Sequence, residues 1–189
     1  MGCNIIGDSF VRERRREMEN LSKYDNCFLD VAAPIIKHEE YQKMKHIPHH
    51  HGCVYDHCLD VAYFSYKIAH RFGLDVESTI RGALLHDFYL YKFKKGKDKN
   101  ILMEGYRHSR NHPQIAIDNA LKYFQLNDKE IDIIQNHMFP LGFPRSSEAW
   151  ITTLADKTLA IAEYSSRLRS YFQLKYYRIA YATFNKESE

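Results

Sequence analysis

An all-α, single-domain bundle is what this sequence predicts, and three observations predict it. Apolar residues recur at steps of three or four through most of the chain, the spacing of one face of a helix. Breakers are few, with 8 Gly and 5 Pro against 14 Tyr and 11 Phe among 189 residues. No repeat, low-complexity tract or strand-like alternation competes with that pattern. The length suits one domain that closes its own core without disulfides or an obligatory structural metal.

The elements follow in order. Residues 1–26 read as an N-terminal basic helix or arm, because Arg12, Arg14, Arg15 and Arg16 interleave with Glu13, Glu17 and Glu19. Residues 27–189 form the main domain. From Cys27 to Met44, Phe28, Val31, Ala32, Ile35 and Ile36 stand at helical spacing, with Pro34 placed to kink or divide the segment. From Tyr55 the inward stripe is His57, Val61, Phe64, Ile68 and Phe72, closed by Gly73 as a C-terminal cap. Asp75 caps the next helix, which has Glu77 in its first turn and Val76, Ile80, Ala83, Leu84 and Asp87 on its buried face.

Gly96 and the surrounding lysines predict a loop over 92–100. Pro113 suits a first helical position, which puts His112 at the entrance of the helix carrying Ala116, Ile117, Ala120, Leu121 and Phe124. Asn127 and Glu130 have capping-box spacing ahead of Ile131, Ile133, Ile134, His137 and Met138, and Pro140 and Pro144 close that segment. The last long helix starts near Ser146 and carries Trp150, Ile151, Leu154 and Ala155 into Asp156.

Composition excludes several classes of function. A formal charge of +3 is too small for a nucleic-acid coating protein. No apolar run reaches the roughly 20 residues of a membrane span. Cys3, Cys27, Cys53 and Cys58 lack CxxC spacing and no secretory h-region stands at the start, so a reduced, cytoplasmic setting is expected. Met1-Gly2-Cys3 does not make a myristoylation signal, since Ile6 stands where Ser or Thr is needed.

Any one histidine on an apolar face is ordinarily a hydrogen-bonded core residue. Here His57, His86, Asp87, His112, His137 and Asp156 all fall on inward stripes or at helix ends, from five helical segments that a bundle can converge on one point. Burying such groups together without partners costs several kcal/mol, whereas a divalent cation takes up carboxylate charge and imidazole lone pairs at once. Successive helical positions diverge by about 100°, so His86 and Asp87 would reach one site from either side of an ion or ion pair. Nitrogen and oxygen ligands without thiolate point to Fe, Mn, Zn, Ni or Mg, as one or two ions.

The order His57, then Gly82-Ala83-Leu84-Leu85-His86-Asp87, then Leu154-Ala155-Asp156-Lys157 resembles the H…HD…D signature of the HD-domain superfamily of metal-dependent phosphohydrolases. The core motifs lie within 54–165. His112 and His137 resemble the added ligands of dinuclear members, as in symmetrical diadenosine tetraphosphate hydrolases and HD-GYP phosphodiesterases, and by that resemblance Asp87 bridges two metals. The run after His137, Met-Phe-Pro-Leu-Gly-Phe-Pro, lacks the HHE and GYP elements, which argues against cyclic-di-GMP as substrate. Phe88-Tyr89-Leu90-Tyr91 stands where many relatives have a small Ile-Gly type pair. The chain looks most like a small bacterial HD branch.

What the resemblance implies is hydrolysis of a phosphoester or nucleotide-type substrate by a metal-bound hydroxide, with His86 and Asp87 as the catalytic pair. No GxSxG elbow, Walker loop or nucleophilic cysteine offers another centre. For an anionic substrate, Lys92 leads a run with Lys94, Lys95, Lys97 and Lys99, while Arg107, Arg110 and Arg145 stand beside the later ligands. His51, Lys92, His108 and Arg145 are the substrate-binding candidates. His51 is preferred over His49 and His50 through the family resemblance, and His108 is the substitute for His112 as a ligand. Two other readings keep the fold: a dinuclear-iron oxygenase, and a non-catalytic nucleotide-binding sensor that uses its basic N-terminus. The expected partner is a small phosphorylated substrate, with neither membrane nor nucleic acid; homodimerisation is allowed.

Overall fold

The computed structural model describes residues 22–49, 52–90 and 101–164. The segments 1–21, 50–51, 91–100 and 165–189 lie outside the described residues, and with them most of the basic arm, His50, His51, Lys92 and the rest of the lysine run.

Seven helices are described: α1 (Asn26–Ile36), α2 (Glu39–Gln42), α3 (Val54–Arg71), α4 (Val76–Leu85), α5 (Ile101–Tyr123), α6 (Asp128–Asn136) and α7 (Ser147–Tyr164). A 3-10 helix, Lys43–His46, follows α2, and β1 (Pro48–His49) pairs antiparallel with β2 (Gly52–Cys53). That single two-residue pairing is the one departure from an all-helical chain among the described residues. α3 packs on α4 and α7, α4 on α6, and α6 on α7, with α1 against α4 and α5 against α6.

Local chemistry accounts for most boundaries. Asp25 caps α1 by accepting from the Phe28 N–H at 2.9 Å. Pro34 does not divide α1, which runs through it to Ile36. Its ring faces solvent, and the chain leaves the helix at Lys37–His38, where His38 Nδ1 caps α2. α3 ends in a Schellman arrangement: Gly73 at φ 64° donates to His70 O and Leu74 donates to Ala69 O. Asp75 caps α4 and the Asn127–Glu130 capping box opens α6, both where the spacing predicts them. Ser146 accepts from the Ala149 N–H at the start of α7.

Three expectations are corrected. Pro113 lies inside α5, so His112 sits mid-helix and not at an entrance. Helical structure on both sides of the proline offsets the missing N–H and the ring clash, a cost of about 3 kcal/mol. Phe72 is 72% exposed, because as C-cap of α3 it has left the helical path that the periodicity extrapolates. Leu154 is 60% exposed: the described residues of α7 that are buried are Glu148, Ala149, Thr152, Thr153, Ala155 and Asp156, and this helix packs on α3.

The main core joins Phe28, Ile35, Tyr41, Met44, Ile80, Leu84, Leu85, Phe88 and Ile134, all fully buried. Phe88 stacks within 5.6 Å of Tyr41 and 6.2 Å of Phe124, so the large residue after Asp87 anchors the turn that carries the carboxylate.

Candidate metal centre

The helices that carry the candidate ligands are tied together at their opposite ends. Asp75 at the start of α4 accepts from Ser78 and from Lys129 of α6, and its backbone N–H donates to Glu148 of α7. Asn127 Nδ2 donates to Ser78 Oγ, and Lys129 Nζ reaches Glu148 at 2.9 Å. Partway along, Gly82 lets α4 approach α6 so closely that a Cβ there would meet Ile133 Cδ1 at 2.7 Å. The C-terminal ends of α4 and α6 are thereby brought side by side, and each ends in a histidine.

His86 and His137 do the same local work. Each is a C-cap residue whose Nδ1 meets the carbonyl three residues back, His86 to Ala83 O at 2.7 Å and His137 to Ile134 O at 2.8 Å. A carbonyl only accepts, so Nδ1 carries the proton, and Nε2 presents its lone pair when the ring is neutral. One orphan helix carbonyl is satisfied in each case. Tyr41 satisfies another, its hydroxyl donating to Leu84 O at 2.8 Å. Two helix C-termini, the negative ends of their dipoles, therefore abut the centre, a setting that favours a cation.

All six predicted ligands converge, and each is buried. His57 Nε2 of α3 is 3.1 Å from Asp156 Oδ1 of α7, and His86 Nε2 is 3.8 Å from that same oxygen. Asp87 divides its oxygens: Oδ2 is 3.8 Å from His86 Nε2, while Oδ1 is 3.2 Å from His112 Nε2 and 3.6 Å from His137 Nε2. His112 and His137 meet through their Nε2 atoms at 2.8 Å; since His137 holds its proton on Nδ1, His112 is the donor. The expectation that His86 and Asp87 are both helical is replaced by a simpler geometry. α4 stops at Leu85 and the turn through Asp87 lets adjacent residues face one point.

Electrostatics agree with a cation site. Burial pushes the Asp87 carboxyl up, but His86, His112 and His137 outweigh it and hold it well below the usual range. Burial is likewise overcome at Asp156 by the hydrogen bond of His57 and by the positive charge of the nearby His86 ring. Burial opposes protonation of His86, yet the Asp87 charge raises its pKa well above normal; the field that holds this proton also draws a metal ion. At His137 burial dominates, reinforced by His112 and His86, and its pKa falls to about 3, leaving a neutral imidazole. His86 Nε2 and Asp87 Oδ1 are buried and make no hydrogen bond. Such orphaned atoms are costly, and each is the kind of donor that divalent metal takes up, so the donor set fits a metal. Three overlapping triads meet that requirement: His57–His86–Asp87, His86–His137–Asp156 and Asp87–His112–His137.

The substrate candidates are placed less completely. His108 lies on α5, four residues before His112. Arg145 is exposed in the α6–α7 connection, where its backbone N–H donates to both oxygens of Asp132, at 3.0 and 3.2 Å. His51 and Lys92 are outside the described residues. Two residues escaped the sequence reading. Asp132, on α6, also receives the Ser146 N–H at 2.8 Å and hydroxyl at 2.7 Å, so it fixes the connection between the helices bearing His137 and Asp156. Its polar place in an apolar helix stripe was the available signal. Lys157 Nζ is 2.9 Å from Asp156 Oδ2 and 3.0 Å from Met138 Sδ. Helical spacing gives no signal for it, because neighbours at i and i+1 do not face each other.

No described helix is long and apolar enough to cross a membrane. In comparisons with known proteins, the HD domain family matches residues 54–161, more than half of the chain and the span that holds all six converging residues. No curated protein and no solved structure matches the chain. Members of that family hold divalent metals with histidine and aspartate, which is the donor set assembled here. On the extent of that match, with the ligand geometry beneath it, the chain belongs to the HD-domain family.

Proposed function

We propose that this chain is a phosphohydrolase that cleaves a phosphoester or nucleotide-type substrate by activating water on divalent metal. The observation that carries the reading is the division of Asp87, with Oδ2 toward His86 and Oδ1 toward His112 and His137. A carboxylate so placed suits a bridge between two ions, one held with His57, His86 and Asp156 and the other with His112 and His137. When bound, divalent cations lower the pKa of water toward neutrality and neutralise phosphoryl oxygens.

The chain's own residues do the remaining work. His57 and the Lys157 ammonium engage different oxygens of Asp156 and so orient its carboxylate. Ala83 O and Ile134 O fix the rings of His86 and His137, as outer partners of metal ligands commonly do. Burial of all six residues keeps bulk water from competing for the centre. Arg145, His108, His51 and Lys92 are assigned to the substrate's anionic groups, on the chemistry of their side chains and their positions in sequence.

The test is a screen of nucleotides, dinucleoside polyphosphates and simple phosphoesters with each of Mn, Fe, Zn, Ni and Mg. Metal-dependent release of phosphate or nucleotide, lost in Asp87→Ala, is the expected result. Oxygen consumption with C–C or C–P cleavage would replace the reading with an oxygenase. Hydrolysis that survives Asp87→Ala would remove the centre from the reaction.

A further inference from the structure

Asp156 meets two different environments through its two oxygens. Oδ1 faces the ligand cluster, 3.1 Å from His57 Nε2, while Oδ2 is 2.9 Å from Lys157 Nζ. Adjacent helical residues diverge by about 100°, so this contact requires Lys157 to fold back over its neighbour. Met138 Sδ, 3.0 Å from the same nitrogen and on the residue after His137, is what the ammonium rests against. The Lys157 side chain is 37% exposed against 10% for Asp156, which puts the charge at the rim of the centre. Among the described residues it is the one Lys or Arg within ion-pair distance of a candidate ligand.

We propose that Lys157 is a positioning residue that confines Asp156 to one coordinating oxygen and so keeps a coordination position open. The inference rests on the metal-centre reading above. A carboxylate that ligates through both oxygens occupies two positions, as in calcium sites. Held by an ammonium on Oδ2, Asp156 offers only Oδ1, and catalytic metal sites require a position left for water or substrate. The arrangement has a cost, since a fixed positive charge beside a ligand repels the incoming cation. That cost separates the clamp from an ordinary structural ion pair. Removing a merely structural partner weakens metal binding, as loss of outer-sphere contacts usually does, whereas removing this one strengthens it.

The full chain is titrated with Co²⁺ against a competing chelator, alongside Lys157→Met and Lys157→Gln, and visible spectra of the loaded proteins are recorded. Lys157→Met is expected to bind Co²⁺ on the order of tenfold tighter, because the repulsion between the ammonium and the incoming cation is removed. Its visible absorption should weaken as the second oxygen adds to the coordination number. Lys157→Gln keeps a donor to Oδ2 but loses the charge, so it should bind tighter with the wild-type spectrum. Far-UV circular dichroism before loading shows that each variant is folded. Equal or weaker affinity of Lys157→Met with an unchanged spectrum overturns the clamp. If the wild type binds Co²⁺ and hydrolyses nothing while Lys157→Met shows the spectral change, the clamp stands and the phosphohydrolase reading falls. If the wild type binds no divalent ion, both fall.

Discussion

Substituting Gly82 by alanine sets two opposing effects against each other, and their balance measures how tightly α4 and α6 are held at the centre. Alanine in a helix interior gains about 0.5–1 kcal/mol over glycine. Its methyl, however, would lie 2.7 Å from Ile133 Cδ1, 3.0 Å from Cβ and 3.1 Å from Cγ2. Comfortable carbon–carbon separation is about 3.5–4.0 Å, so roughly half an ångström or more must be found. Ile133 is fully buried, and while a new rotamer can move Cδ1, its Cβ moves only with the α6 backbone. Overpacking of this kind costs about 1–3 kcal/mol, leaving a net destabilisation of about 0–2.5 kcal/mol after the helix gain.

The larger effect falls on function, because His86 and Asp87 follow α4 while His137 caps α6. A displacement of roughly 0.5 Å is the tolerance of a preorganised site, so metal affinity should fall by about tenfold or more. Urea denaturation of the metal-free chain and calorimetric metal titration read the two effects separately. Ile133→Val removes Cδ1 and the shortest contact but leaves Cβ and Cγ2, so combined with Gly82→Ala it should recover only part of both losses. A gain of about 1 kcal/mol in Gly82→Ala with unchanged metal affinity would show that α6 yields freely and that the packing argument is wrong.

Further outcomes follow from the centre and its supports. Elemental analysis should find about two equivalents of metal per chain, falling toward one in His112→Ala or His137→Ala; one tightly held ion in all three proteins would reduce the centre to a mononuclear site. A divalent ion at a hundred times its Kd should stabilise the chain by about 2.7 kcal/mol and raise Tm by roughly 5–10 °C, reversibly with chelator. Burial raises the Asp132 pKa, but the Ser146 hydroxyl, Asn136 and two backbone N–H groups hold it below the ordinary carboxylate value. Its contribution to stability is therefore complete above the unfolded pKa of about 3.9 and is lost as pH falls through the lower folded value. Asp132→Asn should cost about 2 kcal/mol near neutrality and progressively less in acid, seen as convergence of the two stability–pH curves; parallel curves would contradict the assignment.

Much of this protein was legible where the physics is local. Asp75, Asn127 and Ser146 start helices by accepting from N–H groups three positions on, and Gly73 accommodates a positive φ, so composition at a boundary carries the information. The six converging residues could be named as candidate ligands because burial of charged groups on apolar faces is expensive enough to be conspicuous. Where the reading failed, a tertiary contact outweighed a local preference. Pro113 favours a helix start by its own geometry, yet α5 runs through it; Leu154 is the most apolar choice on its turn, yet α7 buries Thr152, Thr153 and Ala155 instead.

The sequence by itself determined the helical class, most helix starts and the candidate ligands that the fold brings together, because each follows from periodicity, capping or the cost of burying charge. Tertiary structure alone decided how those ligands divide. The split of Asp87 between His86 and the His112–His137 pair, and the hold of Lys157 on one oxygen of Asp156, depend on distances between segments far apart in the chain. Such distances are set by the close approach at Gly82 and the tied helix ends around Asp75, and no periodicity along a single segment encodes them.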